Sequence, residues 1–302
     1  MDRTFSEAHF FGFLVRGDLQ NGLRYLEQFP CQEQELRKYH ARFDGTHSVI
    51  YPVDEGLQHI LAVYQQYYRD VFYLPIGSKQ AEETMTSNLR ALFQIDHLDE
   101  DIEAAEEKVT EAFSAKGFHI LCGRTGGFYG PYIWTDTESR TFDVELPGGM
   151  QKYTVNLLDG FISKSWLDYI SFGKIGTGGW TDSSGVINCI RASYHLESEH
   201  FKVSLLKHEA QHARDLTQYP DMSSADLEYR AKLVELIYSS DPGLLARFIA
   251  EADPTRGTNG HGLASARIAA AFSGTDRTIA EIQSAARRFF QSSSEEILHK
   301  YG

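Results

Sequence analysis

Residues 208 to 212 read His-Glu-Ala-Gln-His and lie in a segment that contains good helix formers and neither proline nor glycine. Four residues turn a helix by about 400°, so His208 and His212 stand one turn apart on the same face. Both imidazoles can therefore reach one metal ion. Glu209 lies about 100° around the helix from His208, where its carboxylate can stand beside an open coordination position of that ion.

The chemistry that this motif indicates is hydrolysis assisted by zinc. Two neutral imidazoles and one carboxylate suit Zn²⁺, and catalytic zinc sites keep a fourth position for water. Zinc lowers the pKa of such a water molecule from about 15.7 to about 7. We expect His208 and His212 to hold the ion and Glu209 to act as the general base that takes the proton of the water.

The third ligand should come from a second helix that crosses back over the first. Pro220 ends the motif helix, and Ser223 or the serine after it can cap a new helix. That second helix carries Glu228, which is the predicted third ligand. Glu235, seven residues later on the same helix face, is the alternative, and Asp226 is the third choice.

Two further side chains have predicted supporting roles. A metal-bound imidazole usually donates its second N–H to a carboxylate, and Asp215 is placed to accept it from His212. Asp215 could equally pair with Lys232 or Arg214 at the surface. His261, in the loop ahead of a later helix, is the predicted donor to the oxyanion that forms during hydrolysis. The other candidates for this donor are Tyr229, Arg230 and Arg267.

An alternative interpretation of the histidines needs no metal. Phe201, Leu205, His208 and His212 follow one another at helical spacing and form a single stripe. The two imidazoles could therefore be buried core residues, each with a hydrogen-bond partner.

The His-Glu-Ala-Gln-His motif, followed by Glu228 on the next helix, resembles the gluzincin metallopeptidases, the thermolysin-like class. This resemblance implies a zinc site formed by two helices beneath an antiparallel sheet, with Glu209 as the base. It also implies that the edge strand of the sheet presents hydrogen bonds to the substrate backbone, and the segment from Gly185 to Ile190 would be that strand. The predicted function is zinc-dependent hydrolysis of a peptide or protein substrate.

Two other functions remain open at this point. One is a catalytically inactive zinc-site protein that acts as a protein-binding or regulatory module, with the helical N-terminal region as the candidate surface for a protein partner. The other is a zinc enzyme that acts on a different amide or an ester. An intact Glu209 favours catalysis, because a structural zinc site needs no base and closes its fourth position.

The elements around the motif predict an α+β fold with a helical N-terminal region. Leucine, isoleucine, valine and tyrosine recur at helical spacing from Gly22 to Phe43 and from Glu55 to Tyr73, and residues 81–114 predict one or two more helices. The pattern changes at residue 116. We therefore predict a helical region over residues 1–115 and a zinc-binding domain over residues 116–302.

The second region combines a mainly antiparallel sheet with a helical C-terminal half. The candidate strands are 118–122, 131–135, 140–146, 152–157 and 185–190. A glycine-rich loop from Phe172 to Trp180 is interpreted as a flap. The candidate helices are 196–217, 223–239, 242–250, 262–273 and 276–300.

The composition narrows the partners and the compartment. The chain has 29 Lys and Arg against 42 Asp and Glu, a formal net charge of −13, so we expect neither nucleic acid nor membrane surfaces as partners. Its three cysteines are widely spaced and show no metal-binding pattern, which favours free thiols. The first residues have no signal-peptide pattern, and the expected location is the cytoplasm.

Overall fold

The computed structural model describes residues 4–45, 48–74, 76–95, 102–254, 260–274 and 277–302. Helices stand at both ends and antiparallel sheets lie in the middle, so the predicted α+β fold is confirmed. The chain divides into two compact units, Met1–Asp136 with Gly160–Gly176 and Thr137–Asp159 with Thr177–Gly302. Both units are therefore made of two chain segments.

The first unit packs helices and short strands around one core. Its helices are α1 (Glu7–Val15), α2 (Leu19–Leu26), α3 (Glu33–Phe43), α4 (Glu55–Tyr68), α5 (Ser78–Phe93), α6 (Ile102–Ser114) and α7 (Ser165–Ile170). Asp54 caps α4, since its carboxylate accepts a hydrogen bond of 3.0 Å from the Leu57 N–H. Its strands are β1 (His119–Leu121), β2 (Arg124–Thr125), β3 (Phe128–Tyr129), β4 (Tyr132–Trp134) and β7 (Ser163–Lys164).

The predicted boundary between residues 115 and 116 falls inside this first unit. Strands β1, β4 and β7 form an antiparallel sheet. Ile133 on β4, with Trp166 and Ile170 on α7, is buried in the same core as the N-terminal helices. Each fully buried side chain of this size contributes about 1.5–3 kcal/mol. Residues 116–136 and 160–176 therefore belong with the helices, because the helical core is complete only with these apolar side chains.

The second unit contains a four-stranded sheet with the order β5-β6-β9-β8. The strands are β5 (Asp136–Leu146), β6 (Gly149–Asp159), β8 (Gly179–Thr181) and β9 (Ile187–Ile190). Strand β9 is parallel to β6 and antiparallel to β8. The predicted strands 140–146, 152–157 and 185–190 correspond to β5, β6 and β9, whereas β8 was not predicted.

One edge of this sheet is β8, which corrects two expectations. The segment that was predicted to be the edge strand contains β9, which lies between β6 and β8. The last residues of the predicted flap, Gly179 and Trp180, belong to β8. A Cβ atom at Gly179 would overlap the carbonyl oxygen of Asn188 and the side chain of Leu205, so only glycine lets the strands approach this closely.

The helices of the second unit follow the sheet. They are α8 (His208–Gln218), α9 (Ser224–Tyr238), α10 (Leu244–Ala250), α11 (Gly260–Ala271) and α12 (Ile279–Tyr301). Ser223 caps α9, as predicted, by accepting a hydrogen bond from the Asp226 N–H. The predicted start of the last helix at residue 276 lies outside the described residues. Among the helices that the structure describes, none is long and apolar enough to cross a membrane.

Candidate metal centre

The two histidines of the motif stand on the first turns of α8. A π-helical segment, His200–Lys207, runs directly into this helix. Phe201 and Leu205 in that segment are buried in the core of the second unit, so the predicted apolar stripe exists. The stripe ends in a cavity at the histidines rather than in the core, because both His208 and His212 line it.

The side chains of His208, His212 and Glu228 converge. The Nε2 atoms of the two histidines lie 3.0 Å apart. Glu228 places Oε2 3.5 Å from the Nε2 atom of His208 and Oε1 3.6 Å from that of His212. Among the described residues, these three form the one group of His, Cys, Asp and Glu side chains whose potential ligand atoms lie within 4.8 Å of one another.

The separations suit a zinc ion. Bonds of about 2.0–2.1 Å in tetrahedral geometry place neighbouring ligand atoms about 3.3 Å apart, and the observed values of 3.0 to 3.6 Å lie around that figure. One buried potential ligand atom of the group, Oε2 of Glu228, has no hydrogen-bond partner among the described residues. Two imidazoles and a carboxylate are also the donor set that zinc prefers, so these residues fit the ion.

Opposite charges dominate the electrostatics of the group. Burial alone would lower the pKa of His208, but hydrogen bonds to the carboxylates of Glu228 and Glu235 outweigh burial and raise this pKa well above its ordinary value. Burial would likewise raise the pKa of Glu228, but the imidazoles of His208, His212 and His261 hold it well below the usual range. The carboxylates of Glu228 and Glu235 thus favour positive charge at this point.

Glu235, the alternative third ligand, does not face the point where the other three side chains converge. Its Oε1 atom lies 2.7 Å from Nδ1 of His208, the ring nitrogen that does not face Glu228. A carboxylate in this position fixes the orientation and tautomer of the imidazole. Glu228, and not Glu235, therefore lies where the third ligand is expected, because a ligand must face the same point as both Nε2 atoms.

Glu209 lies in the same cavity as the three converging side chains and is 9% exposed. Its Oε2 atom accepts a hydrogen bond of 2.9 Å from the hydroxyl of Thr181 on β8. The cavity has a volume of about 540 Å³, in the range of small-molecule sites. Residues of β8 form part of its wall, so the edge of the sheet and the motif helix face each other across it.

His261 is on the first turn of α11, whereas the sequence placed it in a loop. Residues 258 and 259 of the predicted loop lie outside the described residues. The His261 side chain is 68% exposed, lines the cavity, and has Nδ1 2.9 Å from Oε2 of Glu228, although these atoms are not aligned for a hydrogen bond. His261, the predicted oxyanion donor, therefore lies at the cavity and contacts Glu228.

Both interpretations of Asp215 were wrong. Its Oδ2 atom accepts a hydrogen bond of 2.7 Å from Nε of Arg230, and both side chains are buried. The reason is the crossing of α8 and α9, which brings Arg230 over the buried face of α8. Arg214 instead bonds the Gly148 carbonyl at 3.0 Å, and Lys232 bonds Glu251 at 2.8 Å.

The remaining candidates for the oxyanion donor do not line the cavity. Arg230 is occupied by Asp215, and Arg267 pairs with Asp226 at 2.6 Å and lies over the ring of Tyr229.

Asp226, the third choice for the metal ligand, is excluded by its own partners. It accepts hydrogen bonds from Lys300 and Tyr301, both at 2.8 Å, and so ties the C-terminal helix to the start of α9.

This Asp226 cluster predicts a pH-dependent contribution to stability. Burial would raise the pKa of Asp226, but its bonds to Lys300, Tyr301, Ser223 and Arg267 lower it. A lowered folded-state pKa stabilises the fold above the unfolded-state pKa of about 3.9, and this contribution is lost as the pH falls further. We expect Asp226→Asn to reduce the free energy of unfolding by about 1–3 kcal/mol at pH 7.

The measurement is urea unfolding of the wild type and the variant at pH 7 and pH 3. The difference between them should shrink at the lower pH. Glu296→Gln is the matched control, because Glu296 is 66% exposed and contacts Arg267, the arginine that also pairs with Asp226, at 3.2 Å. A difference between wild type and Asp226→Asn that is equal at both pH values would contradict the prediction.

Two residues of the cavity were not foreseen. Thr181 donates a hydrogen bond to Glu209. Tyr194 lines the cavity wall. Burial raises the pKa of its hydroxyl to about 12, with smaller contributions from Cys189, Glu209 and Glu235. A tyrosine of this kind stays protonated and is a second candidate donor to an oxyanion. No local pattern in the sequence indicates either residue. Thr181 reaches the motif helix only through the pairing of β8.

No protein-family model matches the chain, and neither the curated proteins nor the solved structures include a match.

Proposed function

We propose that this chain is a zinc-dependent hydrolase of the metallopeptidase type, in which His208, His212 and Glu228 hold the ion. The observation that carries the proposal is their convergence: one potential ligand atom from each lies within 4.8 Å of the others, in a cavity that also contains Glu209. Glu228, from the second helix, is the proposed third ligand.

The proposed roles follow from the positions of the side chains. When bound, zinc would lower the pKa of a coordinated water molecule and polarise the substrate carbonyl. Glu209 would take a proton from the attacking water and return it to the leaving amine. Glu235 would hold the ring of His208 in place through its bond of 2.7 Å. His261 remains the proposed donor to the oxyanion.

A peptide is the substrate that this cavity favours. Strand β8 is one edge of its sheet and forms part of the cavity wall. An edge strand can add an extended peptide through backbone hydrogen bonds. The bond to be cleaved would then lie between β8 and the motif helix, which carries the proposed base and two of the proposed ligands. An edge strand at the cavity thus favours a peptide over a small amide or ester as the substrate.

The experiment that tests the metal site measures zinc affinity. We expect the wild type to bind one zinc ion, and His208→Ala and Glu228→Gln to weaken binding by more than about 100-fold. Glu235→Gln should cost only about 10-fold, because it keeps an acceptor for His208. Affinity would be measured by competition with a chromogenic chelator, and His299→Ala, at an exposed histidine, is the control.

The ranking of the two glutamates decides between the candidate ligands. If Glu235→Gln loses more affinity than Glu228→Gln, the assignment of the third ligand is wrong. If the wild type binds no zinc in metal-replete buffer, the histidines hold no metal and the proposed function fails.

A further inference from the structure

The hydroxyl of Thr181 contacts Glu209 at two points. Its Oγ1 atom lies 2.9 Å from the side-chain Oε2 atom and 2.9 Å from the backbone carbonyl oxygen of the same glutamate. Thr181 is half-buried at the end of β8, the edge strand. This pair of contacts connects the sheet directly to the residue that is proposed as the general base.

The two partners differ in stiffness. A glutamate side chain has three rotatable bonds and would otherwise sample several positions within the cavity. Threonine is branched at Cβ, which restricts its side chain, and its backbone is held by the pairing of Thr181 with Ile187 on β9. A fixed hydroxyl that donates to a carboxylate therefore determines where that carboxylate lies. Hydrogen bonds to charged groups are also stronger than those between neutral groups.

We propose that Thr181 is a positioning residue that holds the carboxylate of Glu209 in the orientation needed for proton transfer. This inference rests on the proposed function, because it assigns the orientation of the proposed base. The carbonyl oxygen of Glu209 gives the hydroxyl a second acceptor, so Thr181 keeps a hydrogen bond at the stage of the reaction when the carboxyl carries the proton. No proton passes to the threonine.

The position of β8 at the cavity also links the orientation of Glu209 to the binding of the substrate. If an extended peptide adds to this edge strand, the strand that binds the substrate backbone also orients the base. The separation between the scissile bond and Glu209 is then set by one strand and the hydroxyl of Thr181. Errors of about 1 Å in such positioning can cost 10²-fold in rate.

The test compares two substitutions at this residue in the full chain loaded with Zn²⁺ or Co²⁺. Thr181→Val keeps the shape and removes the hydroxyl, whereas Thr181→Ser keeps the hydroxyl. With the best-cleaved member of a quenched-fluorescence peptide library as substrate, we expect Thr181→Val to lower kcat by about 10- to 100-fold with KM unchanged. Thr181→Ser should restore most of the rate.

Metal content and the visible spectrum of bound Co²⁺ should be the same in the wild type and both variants, because Thr181 bonds none of the three proposed ligands. Thr217→Val is the matched control. Among the described residues, its hydroxyl bonds a backbone carbonyl on α8, that of Ala213 at 2.7 Å, and its removal should leave kcat unchanged.

Each outcome has a defined meaning. A Thr181→Val protein with wild-type kcat, or a Thr181→Ser protein as slow as the valine variant, overturns the positioning role. A changed Co²⁺ spectrum in Thr181→Val also overturns it, since the threonine would then support the fold of the site. If the wild type cleaves no peptide, the proposed function fails and the inference fails with it. If the wild type is active and Glu209→Gln is inactive, the proposed function stands, and the Thr181 variants then test the positioning role by themselves.

Discussion

Replacing Glu209 with glutamine should abolish peptide hydrolysis and leave the zinc in place. Glutamine has the same shape, and its amide oxygen can still accept the hydrogen bond of 2.9 Å from Thr181. It cannot, however, accept the proton of an attacking water. General-base catalysis contributes about 10²- to 10⁴-fold, so we expect kcat to fall by that factor. Zinc affinity should not change, because Glu209 is not among the three converging ligands.

The measurement combines zinc content with cleavage of a quenched-fluorescence peptide library. Glu197→Gln is the control for the loss of a carboxylate, since Glu197 is 79% exposed and pairs with Lys202. If Glu209→Gln cleaves as fast as the wild type, Glu209 is not the base. If the wild type binds zinc and cleaves no peptide, the alternative of an inactive zinc-site protein that acts as a binding or regulatory module is favoured.

The second large effect concerns the ion pair between α8 and α9. Asp215 on α8 and Arg230 on α9 are in contact at 2.7 Å, with side chains 2% and 7% exposed. Asp215→Asn would leave the guanidinium charge buried and uncompensated. Removing one partner of such a pair costs about 3–5 kcal/mol, and we expect the free energy of unfolding to fall by that amount. The measurement is urea unfolding of the zinc-free protein, followed by circular dichroism.

Two variants complete the stability experiment. Asp221→Asn, at an exposed acid between the same helices, should change the free energy of unfolding by less than about 0.5 kcal/mol. Replacing both partners by apolar residues, Asp215→Leu with Arg230→Met, should recover most of the loss, since neither charge then remains buried. A loss below about 1 kcal/mol in Asp215→Asn would show that the charge finds another partner.

Local periodicity accounts for what could be predicted from the sequence. The spacing of His208 and His212 places them on one helix face wherever that helix packs, and the break at Pro220 followed by a serine cap predicts the second helix with Glu228. The strands β5 and β6 are eleven residues long, and buried residues alternate with less buried ones in their second halves, at Val144 and Leu146 and at Tyr153, Val155 and Leu157. These alternating stretches are long enough to detect. These features depend on neighbours within a few positions along the chain.

Long-range pairing accounts for what could not be predicted. Strand β8 has only three residues, one of them a glycine, and it exists because β9 pairs with it. Thr181 reaches Glu209, 28 positions further along the chain, only through that pairing. Asp215 likewise finds Arg230 on the next helix, a partner that no spacing rule on α8 could indicate.

The division of both units into two chain segments determines the order in which they can form during synthesis. The helices α1 to α6 leave the ribosome first, but Trp166 and Ile170, which complete their core, are made some fifty residues later. A chain released after residue 115 therefore exposes apolar surface that the full protein covers. The hairpin strands β5 and β6 in turn complete their sheet and core only after β9 and the helices α8 and α9 have been made. Nascent chains of this kind depend on protection from aggregation until the C-terminal segment arrives.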